Sequence, residues 1–164
     1  MSLVHVIGDA TEPQGEGPKI LAHCCNDLGR FGAGFVVAVA RKWPITKKAY
    51  EAWYKSADEV PGEITNRMGL GETQLVQVEE DIWVANIVGQ HGVGMGSGGR
   101  APIRYDALRK GLTAVCRWAI IHKAGVHMPK LGSGLAGGHW GNIEALVKAE
   151  IADKGVSVTV YTLK

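Results

Sequence analysis

Cysteine is scarce in this chain of 164 residues: there are three, of which Cys24 and Cys25 are adjacent and Cys116 falls inside a helical pattern. That spacing supplies neither a disulfide framework nor a zinc site, so the three read as small buried hydrophobes and no metal is expected. Long apolar runs are also missing. No stretch approaches the ~20 residues of a membrane helix, and residues 1–8 form a short strand-like segment closed by Asp9, without the basic start and apolar middle of a signal peptide. A cytoplasmic location without a membrane partner is the expectation. Charge of one sign is lacking too: 18 basic and 16 acidic residues interleave to a net +2. No basic stripe is available to neutralise nucleic-acid phosphates, so an anionic ligand has to be held locally.

What the chain has in excess is glycine, 23 residues, about twice the usual share of roughly 7%. Loops built from backbone are implied. With 46% hydrophobic and 21% charged residues, the length suits one globular domain spanning 1–164, and a monomer is expected.

Strand-like and helix-like patterns alternate throughout. Leu3–Ile7 and 20–25 are short apolar runs that predict strands buried on both faces, central in a sheet. Phe35–Lys42 and 46–55 predict two helices broken at Pro44, 58–71 a loop, and Thr73–Glu79 and 83–88 two strands. Pro102 opens the longest predicted helix, with Leu108, Leu112, Val115 and Ala119 on one face. A strand at 126–131, a helix capped by Asn142 with Ile143, Leu146, Val147 and Ile151 on one face, and a strand at 156–163 complete an α/β chain: a mixed sheet with helices on both sides.

Two glycine clusters carry chemistry. Gly132-Ser133-Gly134-Leu135-Ala136-Gly137-Gly138 follows a strand and precedes a helix. Its glycines permit positive φ and close approach, and unpaired amides at the following helix start offer donors to a phosphate. A bare strand-to-helix turn explains one or two glycines, hardly four in seven. A dinucleotide oxidoreductase would need an acid about twenty residues on to hold a ribose, and 156–163 has none. The second cluster, His23-Cys24-Cys25-Asn26-Asp27, ends a strand and leads through Gly29 to Gly32-Ala33-Gly34 and a helix. Asn26 and Asp27 can bond sugar hydroxyls or cap the helix, and His23 among apolar neighbours reads first as a core histidine. The glycines at 92–99 read as a surface loop or lid.

Gly8-Asp9-Ala10-Thr11, Ile20-Leu21-Ala22-His23-Cys24-Cys25-Asn26, Gly32-Ala33-Gly34 and Pro129-Lys130-Leu131-Gly132-Ser133-Gly134-Leu135 together resemble a macrodomain, in order and spacing, from the first strand to Leu163. The resemblance implies a three-layer α/β/α sandwich with a central mixed sheet and ADP-ribose in a cleft at the strand ends. It implies Gly8, Asp9 and Ala10 around adenine, Asp9 accepting from the amino group. It implies Asn26, Gly32, Ala33, Gly34, Phe35, Gly89 and Gln90 around the distal ribose, and Leu131, Gly132, Ser133, Gly134, Leu135, Ala136 and Gly137 around the diphosphate.

Within that family the chain looks most like the branch of terminal ADP-ribose protein glycohydrolases and ADP-ribose-1″-phosphate phosphatases. The lysine and aspartate of the glycohydrolase mechanism are absent: Gln90 or His91 stands near the lysine position and Ala136 at the aspartate position. The expected activity is release of ADP-ribose from acidic side chains of ADP-ribosylated proteins by a bound water, without a cofactor. The candidate catalytic residues are His23, Asn26, Asp27 and Gln90. A phosphatase using His23 as acid or base and a non-catalytic ADP-ribose reader are the alternatives.

Overall fold

The computed structural model describes residues 2–55, 67–93 and 100–164. Its elements run β1 (Leu3–Ile7), β2 (Lys19–Asn26), α1 (Phe35–Lys42), α2 (Pro44–Lys55), β3 (Thr73–Glu79), β4 (Ile82–Gln90), α3 (Tyr105–His122), β5 (Gly125–Pro129), α4 (Trp140–Glu150) and β6 (Val158–Thr162). The strands form one six-stranded sheet in the order β1-β6-β5-β2-β4-β3. All neighbours are parallel except β3, which lies antiparallel on β4.

Period-two alternation along β2 divides the core in two. Leu21 and Cys25 pack with Val36, Val39, Tyr50 and Trp53 of α1 and α2. Ile20 and Ala22 face the other way, against Leu108, Leu112 and Val115 of α3 and Ile143 and Val147 of α4. The result is the expected three-layer sandwich. Each of these aliphatic side chains gains about 1.5–3 kcal/mol on burial. The predicted apolar face of α3 is the buried one, Leu108, Leu112 and Val115 being inaccessible.

Three local expectations are corrected. β1 is an edge strand, paired only with β6, and Val4 and Ile7 are 49% and 71% exposed; a short apolar run does not reveal where in the sheet it lies. The two helices break where expected, but the second starts at Pro44 itself rather than at 46, because the first helical position needs no amide donor. α4 begins at Trp140 after His139, which leaves Asn142 inside the helix. Of the loop expected at 58–71, residues 58–66 lie outside the described residues, as does most of the predicted lid at 92–99. Among the described residues no helix is long and apolar enough to cross a membrane.

Candidate functional site

Neighbouring parallel strands β2 and β5 send their chains to opposite faces: β2 leads into α1 on one side, β5 into α4 on the other. Such a switch point opens a crevice beyond the carboxyl ends of the strands. Two cavities sit there. The first, about 210 Å³, lies between the start of α1 and the loop after β5, and is lined by His23, Cys24, Gly34, Phe35 and residues 129–136 among others. The second, about 410 Å³, is lined by Asn26, Arg30, Gly32 and Val93, and shares Cys24, Ala33, Val36, Gln90 and Leu135 with the first.

The loop after β5 folds on itself through its own backbone. Gly138 N–H donates to the Gly132 carbonyl (2.7 Å), Gly137 N–H to Gly134 (2.9 Å), and Ser133 N–H to Lys130 (3.3 Å). Gly132 and Gly137 carry φ of 76° and 75°, and a Cβ on Gly138 would lie 2.5 Å from the Gly132 carbonyl oxygen; glycine is required here. The successive amides of Gly134, Leu135 and Ala136 donate to no acceptor among the described residues. Across the cavity Gly34 (φ 82°) precedes α1, which has no side-chain cap and no acid in its first turn; Val37 N–H donates to the Gly34 carbonyl (3.1 Å), and the amides of Phe35 and Val36 are left open among the described residues. The two loops approach closely, since a Cβ on Gly34 would stand 3.1 Å from Leu135 Cδ1. Facing sets of unpaired amides, one with the positive end of a helix dipole behind it, make a seat for an anion. The helix that contributes is α1, not the following helix α4 as the sequence pattern suggested; no residue of α4 lines either cavity.

Asn26, expected at a ribose, spends its side chain on the turn that follows β2. Its Oδ1 receives Leu28 N–H (2.9 Å) and Arg30 N–H (3.2 Å), its Nδ2 donates to the Arg30 carbonyl, and the Tyr50 hydroxyl donates to its backbone carbonyl (2.5 Å) while lying 3.0 Å from Oδ1. It caps neither helix and still lines the second cavity. Asp27 reaches across to the end of β4, where Oδ2 meets His91 Nδ1 at 2.7 Å and Oδ1 accepts Gly92 N–H at 2.7 Å. Gln90, which lines both cavities, donates to the Gly92 carbonyl (3.0 Å). Gly89 lies outside both linings; a Cβ there would stand 2.9 Å from Cys24 Sγ.

His23 is 1% exposed and lies edge-on to Phe31 and Phe35. A buried relay fixes its proton. Gln74 Nε2 donates to the Ala49 carbonyl (3.0 Å), so Gln74 Oε1 accepts from Asn86 Nδ2 (3.0 Å) and Asn86 Oδ1 faces His23 Nε2. Nε2 therefore carries the hydrogen. Burial lowers the His23 pKa to about 4 against the opposing bond to Asn86. At neutral pH the ring is neutral with its single proton committed to Asn86, an arrangement that suits a core histidine and leaves no proton for an acid. Cys24 lines both cavities, a placement that its apolar sequence context did not signal, and burial pushes its thiol up to about 12.

Gly8, Asp9 and Ala10 follow β1 at the same edge of the sheet as the cavities but line neither. Asp9 Oδ1 accepts both the amide and the hydroxyl of Thr11 (2.9 and 2.8 Å), a local turn, while Oδ2 has no protein partner among the described residues. Ala10 is buried in the α1/α2 core. The segment 101–104, which no motif marked, joins the two halves of the site: His91 N–H donates to Pro102, Arg104 N–H to Gly89, and Ile103 N–H to Ala136.

No family model matches the chain. A protein of unknown function from Bacteroides thetaiotaomicron is 47% identical with a TM-score of 0.92, 99% of each chain being covered. A macrodomain protein from Streptomyces coelicolor is 42% identical with a TM-score of 0.83, covering 99% of this chain and 100% of that one. The mouse chromodomain-helicase-DNA-binding protein 1-like is 30% identical over 98% of this chain, which spans only 18% of that relative's length. Likeness of this degree along the whole length of the Streptomyces protein, on the fold and crevice described above, means that the chain belongs to the macrodomain family.

Proposed function

We propose that this macrodomain binds ADP-ribose at the C-terminal edge of its sheet and hydrolyses it from acidic side chains of proteins. The observation that carries the reading is the facing pair of unclaimed amide sets, Gly134 to Ala136 and the start of α1, across a cavity that continues into a second one. A diphosphate fits the first by charge, and the second, which adjoins it and is lined by Asn26, Arg30 and Gln90 among apolar side chains, has room for a ribose. Asp9, with one carboxylate oxygen open, would accept from an adenine amine. The Thermosipho africanus DarTG, which shares this fold at a TM-score of 0.74 and 16% identity, has been solved in complex with ADP-ribose, and that supports the choice of ligand. Water rather than a lysine adduct is the nucleophile in this reading, since the family resemblance implies Gln90 or His91 near the position of the catalytic lysine and Ala136 at that of the aspartate.

The test is calorimetric titration with ADP-ribose of the wild-type protein and of Gly134→Glu. A Cβ on Gly134 meets nothing within 4 Å, so the variant folds normally while its carboxylate occupies the anion seat. ADP-ribose affinity is expected to fall at least about 100-fold, close to 3 kcal/mol. Unchanged affinity in this variant would mean that the loop does not hold the phosphates.

A further inference from the structure

We propose that His91, oriented by Asp27, is the general base that activates water in this cleft. The proposal rests on the hydrolase reading above and supplies the residue that reading lacks. Asp27 is 17% exposed and His91 62%, so a withdrawn carboxylate holds an imidazole that stands outside it. Asp27 is held in turn, because its other oxygen receives Gly92 N–H, and the His91 amide is tied to Pro102. A carboxylate oxygen accepts, so this bond sets the tautomer with hydrogen on Nδ1, whose Nε2 then faces outward as the acceptor. Nε2 has no protein partner among the described residues. Neither member of the pair lines the second cavity, but each follows directly a residue that does, Asp27 after Asn26 and His91 after Gln90, and Val93 two residues on lines it as well, so the pair adjoins its rim. A base, its free nitrogen open and its orientation set by a third group, is the arrangement that water activation needs. An isolated surface ion pair would be worth only about 0–1 kcal/mol and would not require the second oxygen of Asp27 to be bonded as well.

The chemistry also selects the linkage. The water oxygen bonds to C1″ of the ribose as its proton passes to His91 Nε2. The bond from C1″ to the side-chain oxygen breaks, and its electron pair leaves on a carboxylate. The products are ADP-ribose with a hydroxyl at C1″, a free aspartate or glutamate, and an imidazolium that returns its proton to solvent. A carboxylate leaves without being protonated, so a base alone suffices. Release from a guanidine or amide nitrogen would need an acid as well, and the His23 proton is committed to Asn86.

The experiment measures release of ADP-ribose from a glutamate-linked mono-ADP-ribosylated protein under single-turnover conditions, with ADP-ribose binding measured alongside. His91→Ala is expected to lower the rate at least about 100-fold while the ADP-ribose Kd stays within about threefold. Added imidazole should restore part of the rate in His91→Ala and none in Gly134→Glu. Asp27→Asn keeps an acceptor for Gly92 but turns an amide toward Nδ1, which forces the proton onto Nε2. It should lower the maximal single-turnover rate with the half-saturating protein concentration held, and combined with His91→Ala it should slow the reaction no further. A His91→Ala rate within about threefold of wild type, or an equal loss of ADP-ribose affinity, overturns the assignment and leaves the hydrolase reading standing. No release by the wild-type protein overturns both, and the binding measurement then reports whether ADP-ribose recognition survives.

Discussion

Two histidines make stability depend on pH: His23, which its apolar neighbours marked as a core residue, and His127, which nothing in its surroundings marked. His23 and His127 each have a pKa near 4 in the folded chain, driven down from an ordinary 6.5 by burial and, for His127, also by the nearby charge of Lys19. His127 Nδ1 lies 2.7 Å from the Tyr161 hydroxyl, which itself receives Gln14 N–H. Because the folded values are lowered, the unfolded chain binds protons between pH 6.5 and 4 that the folded chain refuses. Stability is whole above about pH 6.5 and falls as pH drops through that window, by up to about 1.4 kcal/mol per pH unit for each histidine. Urea midpoints measured at pH 7.5, 6 and 5 should therefore descend. His23→Gln, which retains an N–H donor for Asn86, should make the descent shallower without abolishing it. A midpoint independent of pH over this range would mean that neither ring is held neutral by burial.

At the scale of elements, close approach of α3 to β4 depends on one missing side chain. A Cβ on Gly111 would overlap Ile87 Cγ2 and stand 3.0 Å from Thr73 Oγ1. Alanine there gains about 1 kcal/mol of helix propensity and loses about 1–3 kcal/mol to overpacking. Gly111→Ala is expected to lower the melting temperature by a few degrees, while Gly134→Ala, where space is open, should leave it unchanged; calorimetric melting curves of the two compare them directly. The face of α3 that Gly111 shares with Leu108, Leu112 and Val115 was legible because a 3.6-residue period is written locally. The glycine loop after β5 was legible for the same reason: its fold is made by backbone bonds and positive φ, and consecutive glycines advertise both. Position within the sheet was not, because the edge placement of β1 depends on which strands pair, and its apolar run looks the same at an edge or a centre. Nor was the source of the second amide set, since α1 and the glycine loop are about a hundred residues apart along the chain. Asn26 illustrates the remaining gap. Its type suggested a sugar-binding side chain, yet its bonds to Leu28, Arg30 and Tyr50 make it the frame of the turn after β2, and Asp27, its neighbour, turns outward to His91 across 64 residues of sequence.

For the whole molecule, the crevice joins segments that the chain keeps apart: the ends of β2, β4 and β5, the start of α1, and the span 101–104 that bridges β4 to the glycine loop. A ligand lying across it stabilises only the folded state, because no unfolded chain presents these groups together. At a hundred times its Kd such a ligand contributes about 2.7 kcal/mol, and for a chain of this length each kcal/mol raises the melting temperature by roughly 2–4 °C. ADP-ribose should then raise it by roughly 5–10 °C. The size of the shift should follow how much of the crevice a compound spans at one fixed concentration, with inorganic phosphate below AMP, AMP below ADP, and ADP below ADP-ribose. Gly134→Glu should melt where the wild-type protein does without ligand and should lose the shift with it, which separates blocked binding from damaged folding. If AMP and ADP-ribose shifted the melting temperature equally, the terminal ribose would make no contact, and the second cavity, with Gln90 in its lining and the Asp27–His91 pair next to it in sequence, would have no part in recognising the ligand.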